Sequence, residues 1–361
     1  MKNREQVITT TNWKNKFNIL IQDRKEKYMK AVQINKYSKD INVTINDIPI
    51  PKIGDNEVLV RVKAAAVNPL EILILTGSVK LIQDYDMPLT LGNELSGIIE
   101  EVGKSVTKFK KGDKIYSRLP IDKIGAFAEY VAVNADAISH MPQNLDFKEA
   151  AAVPLTGLTA YQGLHEELEA KAEQTVFIPG GSGSFGQMAI PIAKSMGLSV
   201  IVSGNARSRE QMMKLGVDSY LDYTKDNYWE SIKEVNFVID TLGPKEFKRE
   251  LSILKKGGRL LSLRTGPNKK FAEKNGFPFW KRKLFSFAGA KYDKLAREEG
   301  KEYRFIFVRA DGEQLKEITR IVEENNIVPS IDSRIFTIEE AGEALKLVAN
   351  GHTDGKVIIQ F

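Results

Sequence analysis

At 361 residues, 42 % of them hydrophobic, the chain is long enough for two ordinary globular domains, each with its own core. It contains no cysteine, which excludes disulfides, thiolate zinc sites and cysteine nucleophiles and points to a reducing compartment. The formal net charge is +6, and the three histidines, His140, His165 and His352, lie too far apart for two to share a helix face, so a histidine-rich metal site is not expected.

Residues 1–28 are polar and lysine-rich and read as an extension outside the fold, an over-long start. The acids Glu5, Asp23 and Glu26 argue against a transit peptide. No apolar run approaches the roughly 20 residues of a membrane span, and "FNILI" is too short for a secretory signal, so a soluble, cytoplasmic protein is expected. From Met29 to about Pro154 the pattern is that of short strands: "EVLVRVKAAAV" (57–67), "SGIIEEVG" (96–103), "GDKIYS" (112–117) and "FAEYVAV" (127–133) alternate or run apolar between turn residues, as in a barrel-like β domain. From about 155 strands alternate with helices: "TVFI" then 184–196, "SVIVS" then 208–215, "NFVIDTL" then 245–254, "GRLLSL", and "YRFIFV" then 312–324. That rhythm predicts a parallel sheet covered on both faces. Near the end, Thr337 and Glu340 have capping-box spacing, Gly351 is the expected helix stop, and Val357 to Gln360 is a last strand.

The stretch "GGSGSFG" (180–186) stands between the strand "TVFI" and a helix. Gly181, Gly183 and Gly186 fit GxGxxG in the setting that gives this motif weight, with Ser184 and Phe185 at the helix start. The first glycine permits a tight turn, the second lets a pyrophosphate approach the backbone, and the third lets helix and strand pack. Gln187 stands where a nucleoside-triphosphatase loop needs lysine. The next strand ends "VIVSGNARSRE", with no acid before Glu210 to bond a ribose 2′-OH. Ser203, Asn205 and Arg207, with Arg209 beyond, offer neutral donors and guanidinium instead, which favours NADPH, because a guanidinium can grip the 2′-phosphate that a carboxylate would repel.

Taken with "AAAVNPLE" (64–71), "LGNELSGIIEEVG" (91–103), "KGDKIY" (111–116), "GAFAEYV" (125–131), "AAVPLTGLTAYQGL" (151–164), "LGVDSYLDY" (215–223), "FVIDTLG" (237–243), "LKKGGRLLSL" (254–263) and the closing "GKVIIQF", residues 29–361 resemble the medium-chain dehydrogenase/reductase superfamily, in its zinc-independent quinone oxidoreductase and enone (alkenal) reductase branch. The resemblance implies an α/β protein: a GroES-like β-rich catalytic domain over 29–154 and 330–361, and a doubly wound Rossmann NADPH-binding domain over 155–329. Zinc-dependent members carry "GHE" and ligand cysteines, whereas this chain has Asn93 in "GNE" and no cysteine, which implies metal-free chemistry. By the same resemblance Asn68 faces nicotinamide and substrate, Thr156 lies near the nicotinamide ring, and Tyr223, Leu263 and Phe307 wall in the cofactor. Pro191 departs from the pattern and is expected to bend its helix.

The expected activity is NADPH-dependent transfer of hydride to quinones or α,β-unsaturated carbonyls, with a small-molecule substrate, no nucleic acid, no membrane span and a homodimeric assembly. Asn68 and backbone N–H groups are the expected donors to an enolate oxygen, and Tyr85, in the loop "IQDYDMP", the candidate proton donor. Residues 264–304 hold twelve Lys and Arg against five Asp and Glu, interleaved with Phe271, Phe277, Phe279, Trp280, Phe285 and Phe287. Because loops at the carboxyl ends of parallel strands border the cofactor crevice, this basic insertion is expected over or beside it. Two alternatives give the insertion another use: an enoyl-thioester reductase that grips phosphates with it, or an NADPH-binding protein with a non-enzymatic polyanion-binding role.

Overall fold

The computed structural model describes residues 27–351 and 353–361, so nearly all of the expected extension, and His352, lie outside the described residues. The first half is strand-rich: β1 (Tyr28–Ile34), β2 (Thr44–Pro49), β3 (Glu57–Val67), α1 (Pro69–Leu75), β4 (Leu89–Thr90), β5 (Glu94–Val102), β6 (Lys114–Arg118), β7 (Tyr130–Asn134) and β8 (Ile138–His140). Two short helices, α2 (Phe147–Ala151) and α3 (Pro154–Gln162), lead out of it. In β3 the residues Val58, Val60 and Val62 turn one face to the core, and beyond them every residue from Ala64 to Val67 is buried. The change has a partner: β16 (Lys356–Gln360), the last strand of the chain, pairs antiparallel with Ala64–Val67, and Ala151 and Ala152 pack on Ala64 and Ala66. Alanine side chains leave room for that helix to lie close on the strand.

The second half alternates: β9 (Thr175–Ile178), α4 (Ser184–Ser195), β10 (Ser199–Gly204), α5 (Arg209–Lys214), β11 (Ser219–Asp222), α6 (Tyr228–Ser231), β12 (Val235–Asp240), α7 (Phe247–Ser252), β13 (Leu254–Ser262), α8 (Lys269–Lys274), α9 (Phe279–Glu298), β14 (Glu302–Phe305), α10 (Gly312–Glu324), β15 (Ile331–Phe336) and α11 (Ala341–Asn350). Six of these strands form one parallel sheet in the order β11-β10-β9-β12-β13-β14, the doubly wound arrangement with its switch point between β9 and β12. β12, in the middle, is buried at all six positions, as expected where helices cover both faces. β15 and β16 instead join β3, β5, β6, β7 and β8 in a seven-stranded sheet, so the chain's end returns to the strand-rich half.

Several expected details are present. Thr337 and Glu340 form a capping box, and Gly351 ends α11 at φ +72°. α4 runs unbroken through Pro191, which has no N–H to give the carbonyl of Gln187. β13 starts at Leu254, four residues before the expected strand, because Val235 pairs with Leu254 at the foot of the sheet. β14 ends at Phe305, so Phe307 lies beyond the strand.

The basic insertion needs a correction. Its first residue, Arg264, lies beside Gly243, in the loop after β12 whose Thr241 and Leu242 neighbour Gly180 of the Gly-rich turn. The rest does not overhang the crevice: Phe271 packs on Phe277, Phe285 and Phe305 at centroid distances of 5.7, 6.0 and 5.1 Å, on β14, three strands from β9. Asn268 caps α8, and its Nδ2 donates to Asp293 of α9 at 2.7 Å, while Gly289 lets α9 close onto Asn268.

Candidate active site

The Gly-rich turn is built by close backbone packing. Gly180 has φ +63°, and a Cβ at Gly186 would lie 1.8 Å from the Gly181 carbonyl oxygen. Gly183 differs: the nearest atom to a Cβ there is the Gly180 oxygen at 3.9 Å, so its bare face is open. Gly183 caps α4, whose first N–H groups, at Ser184 and Phe185, have no carbonyl one turn earlier and sit at the positive end of the helix. This cradle fits the pyrophosphate of a dinucleotide. The Ser203 hydroxyl is buried and accepts the Gly180 N–H at 3.2 Å, so Ser203 braces the turn instead of facing a 2′-phosphate.

At the end of β10 the two arginines separate. The Arg209 guanidinium donates to the Tyr220 carbonyl at 3.2 Å and lies 5.8 Å from that ring's centre. Arg207 is exposed and makes no ion pair among the described residues. Asn205 Oδ1 accepts from the Ser208 N–H at 3.0 Å, fixing the turn that presents Arg207. Asp222, beside Gly204 in register, turns its carboxylate to the Thr224 N–H and hydroxyl at 3.0 and 2.7 Å. Tyr223 is exposed. Leu263 and Phe185 are half-buried on the core of the parallel sheet, whereas Phe307 packs against the strand-rich half and its neighbour Ile306 against the other. The Thr156 hydroxyl donates back to carbonyls of Ala152 and Val153, both at 3.2 Å, inside the first turn of α3.

Beside α3 lies a buried polar cluster that the sequence reading largely missed. Asn68 caps α1, and its N–H donates to Glu71 Oε2 at 2.7 Å. Glu71 Oε1 accepts the N–H and Nδ2 of Asn93 at 3.0 and 2.7 Å. Burial pushes the Glu71 carboxyl up to about 7, against the hydrogen bonds from Asn93 and Asn68 that favour its charged form. Glu94 Oε1 accepts Asn68 Nδ2 at 2.9 Å and Lys356 Nζ at 2.8 Å, and its Oε2 accepts the Leu155 N–H at 2.6 Å. Arg118 stands opposite Glu94 in the β5–β6 pairing, on the same face of the sheet, and is fully buried. It donates to the Leu119 carbonyl, but its Nε and Nη2, like Asn93 Oδ1, have no partner among the described residues. Burial lowers its pKa to about 10, still charged at neutral pH.

Two expected roles change. Both amide hydrogens of Asn68 are engaged, by Glu94 and by the Ala66 carbonyl at 3.3 Å, so Asn68 is not a free donor. The Tyr85 hydroxyl donates to the Ile121 carbonyl at 2.8 Å, and burial holds its pKa far above the ordinary phenol value, which disfavours it as a proton donor. The Asn68–Glu71 spacing was a capping-box signal in the sequence. Nothing local in "KIYSRLP" marks Arg118, since its meaning comes from pairing with β5.

Family comparisons match residues 54–143 to the alcohol dehydrogenase GroES-like domain and residues 215–359 to the zinc-binding dehydrogenase family. The chain is 30 % identical to the mitochondrial NAD(P)H oxidoreductase RTN4IP1 of Danio rerio over 358 residues, 92 % of this chain and 91 % of that one. It is 29 % identical to 2-methylene-furan-3-one reductase of Solanum lycopersicum, covering 92 % and 79 %. A quinone oxidoreductase structure from Coxiella burnetii superposes with a TM-score of 0.77 at 27 % identity, covering 93 % of this chain and all of that one.

Proposed function

Because the chain belongs to the medium-chain dehydrogenase/reductase superfamily, we propose that it is a metal-free, NADPH-dependent reductase of quinones or α,β-unsaturated carbonyls. One observation carries the cofactor part: the open face of Gly183 at the head of α4, with the exposed Arg207 beyond β10 and the neighbouring Asp222 carboxylate turned into its own loop. The α4 N–H groups would hold the pyrophosphate, Arg207 the 2′-phosphate, and Thr156, Leu263 and Phe307 the nicotinamide end. NADPH, when bound, supplies the hydride. The names of the zebrafish and tomato relatives agree with a reductase of this class, and the zebrafish protein is mitochondrial by name, so a cytoplasmic location is an expectation from composition alone.

The cluster around Glu94 suits conjugate reduction better than alcohol oxidation. Asn93 supplies neither a base for a hydroxyl nor an imidazole for a metal, and the chain has no cysteine. Reduction of an enone asks for alignment and for donors to the oxygen that becomes an enolate. With Asn68 held by Glu94, the buried Nε and Nη2 of Arg118 are unpartnered donors of this cluster, and the oxyanion role would pass to that guanidinium once substrate displaces the side chains that cover it. Asn68 then acts by positioning Glu94 and the start of α1, and the α-carbon takes its proton from solvent.

The test is steady-state cofactor oxidation with NADPH and NADH across enones, alkenals, quinones and enoyl thioesters. Turnover with NADPH on enones, alkenals or quinones is expected, with NADH weaker. A preference for thioesters would move the assignment to an enoyl-thioester reductase, and equal use of both cofactors would remove the role of Arg207.

A further inference from the structure

α9 is amphipathic in an unusual sense. Its inner face, Phe285, Gly289 and Ala296, is buried against α8 and β14. The opposite face presents large apolar side chains to solvent: Phe279 is 67 % exposed, Trp280 55 %, Leu284 48 % and Phe287 86 %. Trp280, Leu284 and Phe287 follow the i, i+4, i+7 spacing of one helical stripe. Lys283, Lys291 and Lys294 lie on or beside it at helical spacing, and Lys281 reaches the Trp280 ring, while Arg282, three residues before Phe285, lies toward the buried side. The Lys281 ammonium lies 5.6 Å from the ring centres of Phe277 and Trp280, and Lys283 lies 5.3 Å from that of Phe279.

We propose that this face of α9 docks on an anionic lipid bilayer, with Phe279, Trp280, Leu284 and Phe287 entering the interface and the flanking cations at the head groups. The composition is that of a helix lying in the plane of a membrane surface: aromatic and aliphatic side chains on one stripe, cations beside it with apolar stems that reach upward. No helix among the described residues is long and apolar enough to cross a membrane, so attachment would be peripheral. A second copy of the chain is a poor occupant, because a two-fold interface would set this basic stripe against itself. Single-stranded nucleic acid is also disfavoured: it binds by stacking bases on open aromatic faces, and here lysine ammonium groups lie over two of the face's three rings, Phe279 and Trp280. The proposal stands on surface chemistry and does not depend on the reductase reading.

Flotation of the full chain with vesicles of phosphatidylcholine alone, or mixed with phosphatidylserine, tests it. Binding is expected only to the mixed vesicles, falling as salt rises. Phe287→Asp should reduce it at least about tenfold, and the triple change Lys283→Gln, Lys291→Gln and Lys294→Gln by roughly a hundredfold. All these positions are on the surface, so circular dichroism should match the unaltered protein. Equal binding by Phe287→Asp and the parent, or none to either vesicle, overturns the proposal. So does retention of a polyanion such as heparin without vesicle binding, or loss of a dimer in sedimentation on Phe287→Asp, which would give the face to nucleic acid or to a second copy.

Discussion

Glu71 and Arg118 show how much of this site depends on single buried charges. The Glu71 carboxyl is wholly buried and raised from 4.5 to about 7, so the folded state binds its proton more tightly than the unfolded chain. Its contribution is therefore most favourable below about pH 4.5 and is lost as pH rises toward 7, by something on the order of 3 kcal/mol. Glu71→Gln removes that titration. The melting temperature of the unaltered protein, relative to this variant, should fall between about pH 5 and about pH 8; a constant difference across that range would contradict the raised carboxyl. Arg118 makes the opposite point. Its two unpartnered nitrogens gain nothing in the folded chain alone, and leaving such a group buried costs about 1–3 kcal/mol. Arg118→Met is expected to lower turnover at least about tenfold while leaving the melting temperature unchanged or higher. A large loss of stability with unchanged turnover would make Arg118 structural. Neither residue was legible as functional: Glu71 has the spacing of a helix cap, and Arg118 stands just past the strand read as "GDKIYS" with no local signal.

At the scale of elements, the β9–turn–α4 unit was almost fully legible. Glycine spacing, the preceding apolar strand and the following helix are all local, and α4 starts at Ser184 as the spacing implies. To the three different purposes that the motif implies, the structure adds the clearance at each glycine. Gly186→Ala would drive a methyl into the Gly181 carbonyl oxygen and should unfold the turn, lowering both melting temperature and NADPH affinity. Gly183→Ala meets open space on the protein side. It should fold with a near-normal melting temperature yet bind NADPH at least about tenfold more weakly by fluorescence titration, because its methyl occupies the pyrophosphate's place. Normal NADPH binding by Gly183→Ala would contradict the cradle. The insertion after β13 was misjudged for a related reason: proximity to a strand's end predicts where a segment starts, but contacts of Phe271 with Phe305 decide where it goes.

For the molecule as a whole, local periodicity showed the two halves, with β3 and α10 at their expected bounds. Long-range pairing supplied the rest. Glu94, Arg118 and Lys356 meet only because β5 pairs with β6 on one side and with β3 on the other, and β3 pairs with β16. The two halves are joined by side chains as well as by the chain: Tyr116 donates to the Leu315 carbonyl at 2.8 Å, and the Thr319 hydroxyl donates to the His140 carbonyl at 3.0 Å. Such bridges place the Gly-rich turn and the Glu94 cluster on one molecule, with the cofactor's nicotinamide end proposed to span the gap beside Thr156. That claim has a direct measurement: reduction of an enone with NADPH deuterated at the nicotinamide C4, in the presence of a strong chelator. With both C4 hydrogens replaced by deuterium, a rate that the chelator leaves unchanged and a product carrying deuterium at the β-carbon are expected; a product without label, or activity abolished by the chelator and restored by zinc, would contradict it.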